Sequence, residues 1–452
     1  MLKALIFCVL LLAPLRGAAE APIWDLPVTP SPRLGLAFPG DDPQYYQLIR
    51  DMGVGIVRVS AAWSRVQPRE SAFDFSGLDR RVRGLDQLGL APFLTFESNA
   101  DWAADHVGTV KNGTPRDLTQ WASFVRAVVE RYNADGRDDM PGLAAPVQFY
   151  QVANEFLSPT NRSGGWAGSN AALIAYINAA HDAVKAADPN ARFVLGGVAA
   201  FNADIALLAL RDADFTVRQR FSKTSRTEFS RRDLRHPDIQ RALNARFLPV
   251  LRETRYDIAS VHLYGPESRD VARLSLFADL TQRPVISSEC GGPSLDYGGA
   301  YSGHIHYAAV LRRNLNVWST GASFCLWFGL GEAITSTYGN ARVQLYDRQG
   351  REKPGAQAYR LLAKIAPVLR GVFVVGPDTY RIETTKGPIW IALSRAGLRG
   401  VSGVSGDDYS ICINDAQHRE ALTAQWQQLA QICGTQGITL AGAGVLTLLG
   451  QR

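Results

Sequence analysis

Cysteine is scarce in this chain, five in 452 residues. No C-x-x-C and no Cys/His spacing of the kind that holds a structural zinc is present. Histidine numbers only seven, and none stands clustered with carboxylates at the end of an apolar run, which argues against a metal-dependent hydrolase. There is no internal repeat and no low-complexity segment, so solenoid and fibrous architectures are excluded. Charge of one sign is not in large excess. Lys and Arg total 48 against 42 Asp and Glu, a formal +6, too mild and too dispersed for a dedicated nucleic-acid binder. What is present is ordinary globular material: 46% apolar and 20% charged residues, a balance that rules out disordered, collagen-like and coiled-coil chains. The length suits one large domain with a smaller companion.

Only one apolar run is long, and it opens the chain. Lys3 precedes Ala4 to Leu15, and the small residues Gly17, Ala18 and Ala19 follow. This is the three-part pattern of a secretory signal peptide, residues 1–19. The run falls short of the ~20 residues that a spanning helix needs, so the expectation is a periplasmic or secreted protein with no stable membrane insertion. Removing the leader takes away Cys8, Lys3 and Arg16, leaving a net charge of 46 − 42 = +4 and four cysteines. In an oxidising compartment Cys412 and Cys433 are expected to pair, closing a short loop worth ~3 kcal/mol. Cys290 and Cys325 end apolar runs on neighbouring strands and suit either a bridge or two buried thiols.

Eight short apolar or β-branched runs alternate with amphipathic stretches: Leu34 to Phe38, Gly55 to Ser60, Ala91 to Phe96, Val147 to Ala153, Phe193 to Gly197, Ile258 to Tyr264, Pro284 to Glu289 and Ala322 to Trp327. Between them, Asp41 to Gly53, Leu118 to Asn133 and Asn170 to Ala187 carry helical periodicity, the last stopped by Asp188-Pro189. Eight βα units predict an α/β protein with a (β/α)8 TIM barrel over residues 30–370, closed by a helix over Pro354 to Leu369. From residue 371 the pattern changes to alternating strands, Thr379 to Thr384 and Ile389 to Ser394, with Gly-rich turns. A small, mainly β domain is expected over 371–452, with a helical stretch at Asp415 to Ile432.

Barrels of this type place their chemistry at the C-terminal ends of the strands. The fourth run ends in Asn154-Glu155 and the seventh in Glu289. Two carboxylates facing each other across a barrel mouth are what glycoside hydrolysis requires, one to protonate the leaving group and one to attack the anomeric carbon. A lone strand-end Glu is more often a surface or salt-bridged residue; two, on strands four and seven of eight, form a candidate catalytic pair.

At these residues, and over roughly residues 34 to 370, the chain resembles the clan of retaining glycoside hydrolases whose acid/base and nucleophile end barrel strands four and seven. Asn154-Glu155 matches the clan's Asn-Glu pair, Glu289 its nucleophile, Arg58 its strand-two arginine, His262-Leu263-Tyr264 its strand-six His-x-Tyr, and Trp327 its strand-eight tryptophan. The stretches Trp63 to Leu78 and Ala183 to Gly197 are most similar to family 39 and to bacterial exopolysaccharide endoglycosidases. Two departures bear on subsite shape: the family's usual Trp-Asn-Glu-Pro is Ala153-Asn154-Glu155-Phe156, and Cys290-Gly291-Gly292 stands where an aromatic usually follows the nucleophile.

The residue types fit such a site on their own chemistry. Arg58 can fork onto the Glu289 carboxylate, or else close the sheet end with another acid. Asn154 suits a sugar 2-hydroxyl. Tyr264 can hydrogen-bond Glu289, and His262 can line the sugar pocket. Trp327, Trp166 and Trp102 offer flat faces for sugar rings, although tryptophan is by default a core residue. Finally, Arg211 to Arg255 holds twelve basic residues against six acids. At the catalytic rim that surplus would steer an acidic polysaccharide; the plainer reading is a solvated charged face. The sequence therefore predicts an exported retaining glycoside hydrolase with a carbohydrate substrate, an acidic polysaccharide among the candidates, and no cofactor, metal or nucleic-acid partner. The alternative is a non-catalytic carbohydrate-binding or polysaccharide-assembly protein on the same barrel.

Overall fold

Strands buried on both faces need apolar residues at nearly every position, and each of the eight runs forms a strand of one parallel sheet. In chain order they are β1 (Ser31–Ala37), β2 (Val54–Ala62), β3 (Ala91–Glu97), β4 (Phe149–Val152), β5 (Arg192–Leu195), β6 (Ala259–Ser260), β7 (Val285–Cys290) and β8 (Cys325–Trp327). The sheet runs β6-β7-β8-β1-β2-β3-β4-β5, and parallel bridges Val194–Ile258 and Val198–Val261 join its two edges. The result is a closed (β/α)8 barrel. This computed structural model describes residues 26–414 apart from 41, 43, 107–109, 221–225, 293–302, 333–342, 377–378, 388 and 395–409. The expected leader, the helical stretch 415–432 and Cys433 of the expected bridge lie outside the described residues.

β6 is shorter than its apolar run, for a readable reason. The ladder breaks at Gly196-Gly197, just beyond β5, yet the segment keeps its bonds one at a time: Val198 N donates to Ser260 O, His262 N to Val198 O and Leu263 N to Glu289 O. It thus stays extended to Tyr264.

Among the helices, α1 (Gln44–Asp51), α2 (Ser76–Asp86), α3 (Leu118–Tyr132), α4 (Asn170–Ala187), α5 (Ala200–Leu210), α6 (Asp270–Thr281), α7 (Gly303–Ser319) and α8 (Pro354–Ile365) surround the sheet. Asp117 caps α3 by accepting from Thr119 N at 2.7 Å, and Ser169 caps α4 by accepting from Ala172 N at 3.1 Å. Each satisfies one of the donors that a helix start leaves open. Their inner faces bury one apolar layer against the outside of the sheet, including an aromatic knot of Trp63, Phe96, Trp121 and Phe124. A second layer fills the barrel itself: Ala37, Ile56, Phe93, Val194, Ile258, Ile286, Phe324 and Leu326. Beyond α8 the chain forms an antiparallel sheet, β9 (Leu369–Gly376), β10 (Thr379–Thr384), β11 (Ile389–Ser394) and β12 (Ser410–Asn414). It meets the barrel where Tyr380 OH donates to Asn316 Oδ1 of α7 at 2.8 Å. Among the described residues no helix is long and apolar enough to cross a membrane.

Cys290 and Cys325 are both buried with free thiols, which decides between the two arrangements that their positions allow. Close by, His306 of α7 is fully buried beside Trp327 and bonds Val343 O at 3.2 Å. Gly355 of α8 approaches so closely that a Cβ there would lie 2.6 Å from the imidazole. Burial, with a smaller contribution from Lys353, lowers the His306 pKa to about 3. The folded form therefore binds fewer protons than the unfolded chain, whose histidine titrates near ~6.5. Stability from this group is complete above pH ~6.5 and is lost as pH falls toward 3, by on the order of 5 kcal/mol over the whole span. Denaturant melts at pH 7, 5 and 4 should show that loss, and His306→Gln should flatten the acid slope even if it lowers stability at pH 7. An unchanged slope would mean that other groups carry the acid sensitivity.

Candidate active site

Side chains alternate along a strand, so the residue two positions beyond each inward apolar residue also points into the barrel. One step above Ile56, Phe93, Ile258 and Ile286 stand Arg58, Thr95, Ser260 and Ser288. A dry floor thus gives way to a polar layer, and Arg58 is its centre. The guanidinium is fully buried and spends each nitrogen: Nε donates to Thr95 Oγ1 at 2.8 Å, Nη1 to Ser288 O at 2.8 Å and to Glu289 Oε2 at 3.4 Å, and Nη2 to Asn154 Oδ1 at 2.8 Å. Burial lowers the Arg58 pKa, and the nearby carboxylates Glu289, Glu97 and Glu155, with Tyr264, oppose that shift. The expected fork onto the β7 carboxylate is not formed: Nη1 alone reaches Glu289, because Nε and Nη2 are spent on Thr95 and Asn154.

Glu289 lies where the register of β7 against β8 shifts, between Ser287 and Cys290, an irregularity of the kind that re-aims a side chain. Its other oxygen accepts from Tyr264 OH at 2.8 Å. Burial and the Glu289 charge hold the Tyr264 phenol protonated by raising its pKa, so the hydroxyl remains a donor. On the opposite side, Ala153 and Glu155 adopt left-handed backbone, φ +63° and +50°, unusual for non-glycine residues and a form of strain that gathers at functional sites. This bend turns Glu155 over the mouth, where His262 Nδ1 meets its Oε1 at 2.9 Å. The Glu155 N–H donates to Gly197 O at 2.9 Å. Gly197 has no alternative residue, because a Cβ there would fall 2.1 Å from the His262 ring. Glu155 and Glu289 retain 21% and 16% side-chain exposure, so both carboxylates reach the solvent of one mouth.

Three residues of this network carry no strand-end signature of their own. Ser260 Oγ donates to Ser288 Oγ at 2.8 Å, and Ser288 Oγ lies 3.4 Å from His262 Nε2. A hydroxyl donating to Nε2 leaves the ring proton on Nδ1, facing Glu155. Asn161, in the loop after β4, donates from Nδ2 to Glu155 Oε2. Its Oδ1 accepts from Ser163 N at 2.9 Å, which sets the amide so that nitrogen faces the carboxylate. The inward alternation Ile258, Ser260, His262 was the available signal for Ser260. Nothing local marks Asn161.

Two of the residues expected to bind sugar rings are placed elsewhere. Trp166 is 1% exposed, stacked on Tyr176 at 5.0 Å with its indole N–H on Ser169 O. Trp327 is fully buried, with its indole N–H on Val343 O at 2.7 Å. Both serve the core, which is the default fate of a large ring with a satisfied N–H. Trp102 is partly buried against Trp63 and bonds Gln67 O at 2.9 Å. A cavity of about 410 Å³ does open beside the site, over the ends of β1, β2 and β3, lined by Phe38, Ser60, Glu97, Asn99, Arg65 and Lys111 among others. Glu97 and Lys111 pair across it at 2.6 Å.

No protein-family model matches the chain. A stretch of 155 residues is 25% identical to the beta-glucosidase-like SFR2, chloroplastic, of Oryza sativa subsp. japonica, covering 31% of this chain and 22% of that protein; the chain thus matches only about a fifth of that relative's length. Among solved structures, a glucosidase from Croceicoccus marinus superposes with TM-score 0.52 at 14% identity, covering 86% of this chain and 76% of that one. A family 39 glycoside hydrolase from the gut symbiont Bacteroides cellulosilyticus WH2 does so with TM-score 0.52 at 13% identity, covering 82% and 71%. At such identities the likeness is one of fold alone, the (β/α)8 barrel described above.

Proposed function

We propose that the protein is an exported retaining glycoside hydrolase that cleaves O-glycosidic bonds of a polysaccharide or oligosaccharide. The observation that carries this reading is that Glu155 and Glu289, 134 positions apart in the chain, meet in one hydrogen-bonded network about Arg58. In the first step a Glu289 oxygen bonds to the anomeric carbon while the bond to the leaving oxygen breaks, and that oxygen takes the proton of Glu155. In the second, Glu155 takes a proton from water, whose oxygen displaces Glu289 from the sugar. Arg58 and Tyr264 hold the Glu289 side chain turned toward the mouth, and Asn154 is suited to the 2-hydroxyl.

The related barrels include a glucosidase, which supports a sugar substrate and leaves its identity to assay. An acidic polysaccharide is favoured by the basic stretch after β5, although Arg211, Arg218, Arg231 and Arg255 are already paired with Asp279, Glu228, Asp212 and Asp182. The test is a panel of neutral and acidic glycan polymers and aryl glycosides, with the anomer of the first product read by NMR. We expect turnover with retained configuration, and, on an acidic polymer, a rate at low substrate that falls with salt because exposed charges are screened beyond ~8 Å. A folded protein that binds glycans but cleaves none would instead support the carbohydrate-binding alternative; inversion would refute double displacement.

A further inference from the structure

Next to the segments that follow Tyr264 and Glu289 lies a second group of buried charges that takes no part in the proposed reaction steps. Asp270, at the start of α6, and Arg273, one turn on, are fully buried, as is Arg313 of α7. Asp270 Oδ1 accepts from Arg313 Nη1 and from Arg273 Nη1, the latter at 3.3 Å. Asp204 of α5 grips Arg273 with both oxygens, at 2.7 Å to Nε and 2.9 Å to Nη2, and takes Arg269 Nη1 at 2.8 Å. Burial raises the Asp270 pKa to about 6 against the pull of Arg313 and Arg273, which marks how dry the site is. Charges so buried are costly and give no automatic gain in stability over apolar residues.

The remaining arginine hydrogens show what the arrangement does. Arg273 Nη1 donates to Tyr264 O at 2.8 Å, Arg313 Nη2 to Gly265 O at 2.6 Å and Arg313 Nε to Gly291 O at 3.1 Å. These three carbonyls belong to the segments that leave β6 and β7 at or immediately after Tyr264 and Glu289. The two segments are joined to each other by single backbone bonds, Leu263 N to Glu289 O at 3.0 Å and Gly291 N to Leu263 O at 3.1 Å. We propose that Arg273 and Arg313, fixed in place by Asp204 and Asp270, are positioning residues that lock the ends of β6 and β7 together so that the Tyr264 hydroxyl stays on Glu289. A guanidinium suits this task because it donates in several fixed directions from one planar group, which an ammonium cannot copy. The functional part of the inference rests on the glycosidase reading; the structural part does not.

The test is Arg313→Lys, which keeps a cation beside Asp270 but removes the fork to Gly265 and Gly291. Turnover of an aryl glycoside accepted by the unaltered protein should fall about tenfold or more, with KM changed less than about twofold, because orientation at the reacting centre is lost rather than sugar binding. Hydrogen exchange should accelerate in peptides spanning 261–266 and 286–292 and not across the rest of the barrel. Wild-type kcat with unchanged exchange in those peptides would overturn the proposal. Should the variant not fold, the unaltered protein still decides: the amides of Leu263 and Gly291 should exchange as slowly as those of the barrel core, and exchange at the rate of exposed loops would overturn the hold. A protein without glycosidase activity would refute the reading of the site while the exchange measurement still judged the lock.

Discussion

Replacing Glu289 with alanine should abolish turnover of every substrate, by a factor on the order of 10⁴ or more, whereas Glu155→Ala should discriminate between substrates. The asymmetry follows from the two steps. In the proposed cycle that bond is made by Glu289, while Glu155 is held by His262 and Asn161 and Glu97 pairs with Lys111 at the end of β3. Without Glu289 no glycosyl-enzyme forms, however good the leaving group. Glu155 instead supplies a proton, a contribution of about 10² to 10⁴, and a leaving group that is already a stable anion does not need it. For such substrates Glu155→Ala should form the covalent intermediate at near-normal rate and then stall for want of a base. Azide, which needs no base, should release the sugar as a glycosyl azide of retained configuration. An activated fluoroglycoside of the accepted sugar should label the peptide that contains Glu289. A label on Glu155, or failure of azide to rescue Glu155→Ala with any activated substrate, would refute the assignment of roles.

Arg58→Met should cost both activity and stability, and the two losses can be separated. The side chain is fully buried and serves Thr95, Ser288 O, Asn154 and Glu289 at once. Removing it strands a partly buried carboxylate and leaves those acceptors without a donor, a loss of about 3 to 5 kcal/mol for breaking a buried pair. In catalysis it withdraws a preoriented charge from the reacting carboxylate, typically a factor of about 10² to 10³ in kcat. Arg58→Lys is the sharper variant. It restores the charge but not the fork, so stability should recover in part while kcat on the folded fraction stays at least about tenfold down. Denaturant titration beside single-turnover rates would measure both. A lysine variant with full activity would mean that only the charge at this position matters.

Much of this protein is written in local pattern. Parallel strands enclosed on both faces must be apolar throughout, so eight such runs at βα spacing dictate a barrel, and the polar residue that ends each run must lie at its mouth. Glu155 and Glu289, with Asn154 beside the first and Tyr264 at the end of its run, follow from that rule, whereas Arg58 and His262 lie inside their runs and were singled out by the resemblance to the clan of retaining glycoside hydrolases. What the chain's order does not encode is which distant side chains come to touch. Asn161 reaches Glu155 only because the loop after β4 folds back over the mouth. Ser260 and Ser288 become partners only because β6 and β7 are neighbours. Arg273 and Arg313, on two separate helices, meet the same strand ends through backbone carbonyls, which carry no residue identity to read. Trp166 and Trp327 mark the same limit from the other side, since whether a large aromatic ring faces sugar or core depends on what packs against it, and here Tyr176 and the Val343 carbonyl claim them. Residue type and periodicity determined the barrel and the two carboxylates proposed as its reactive pair; close packing between elements far apart in sequence decided which other side chains and carbonyls surround that pair.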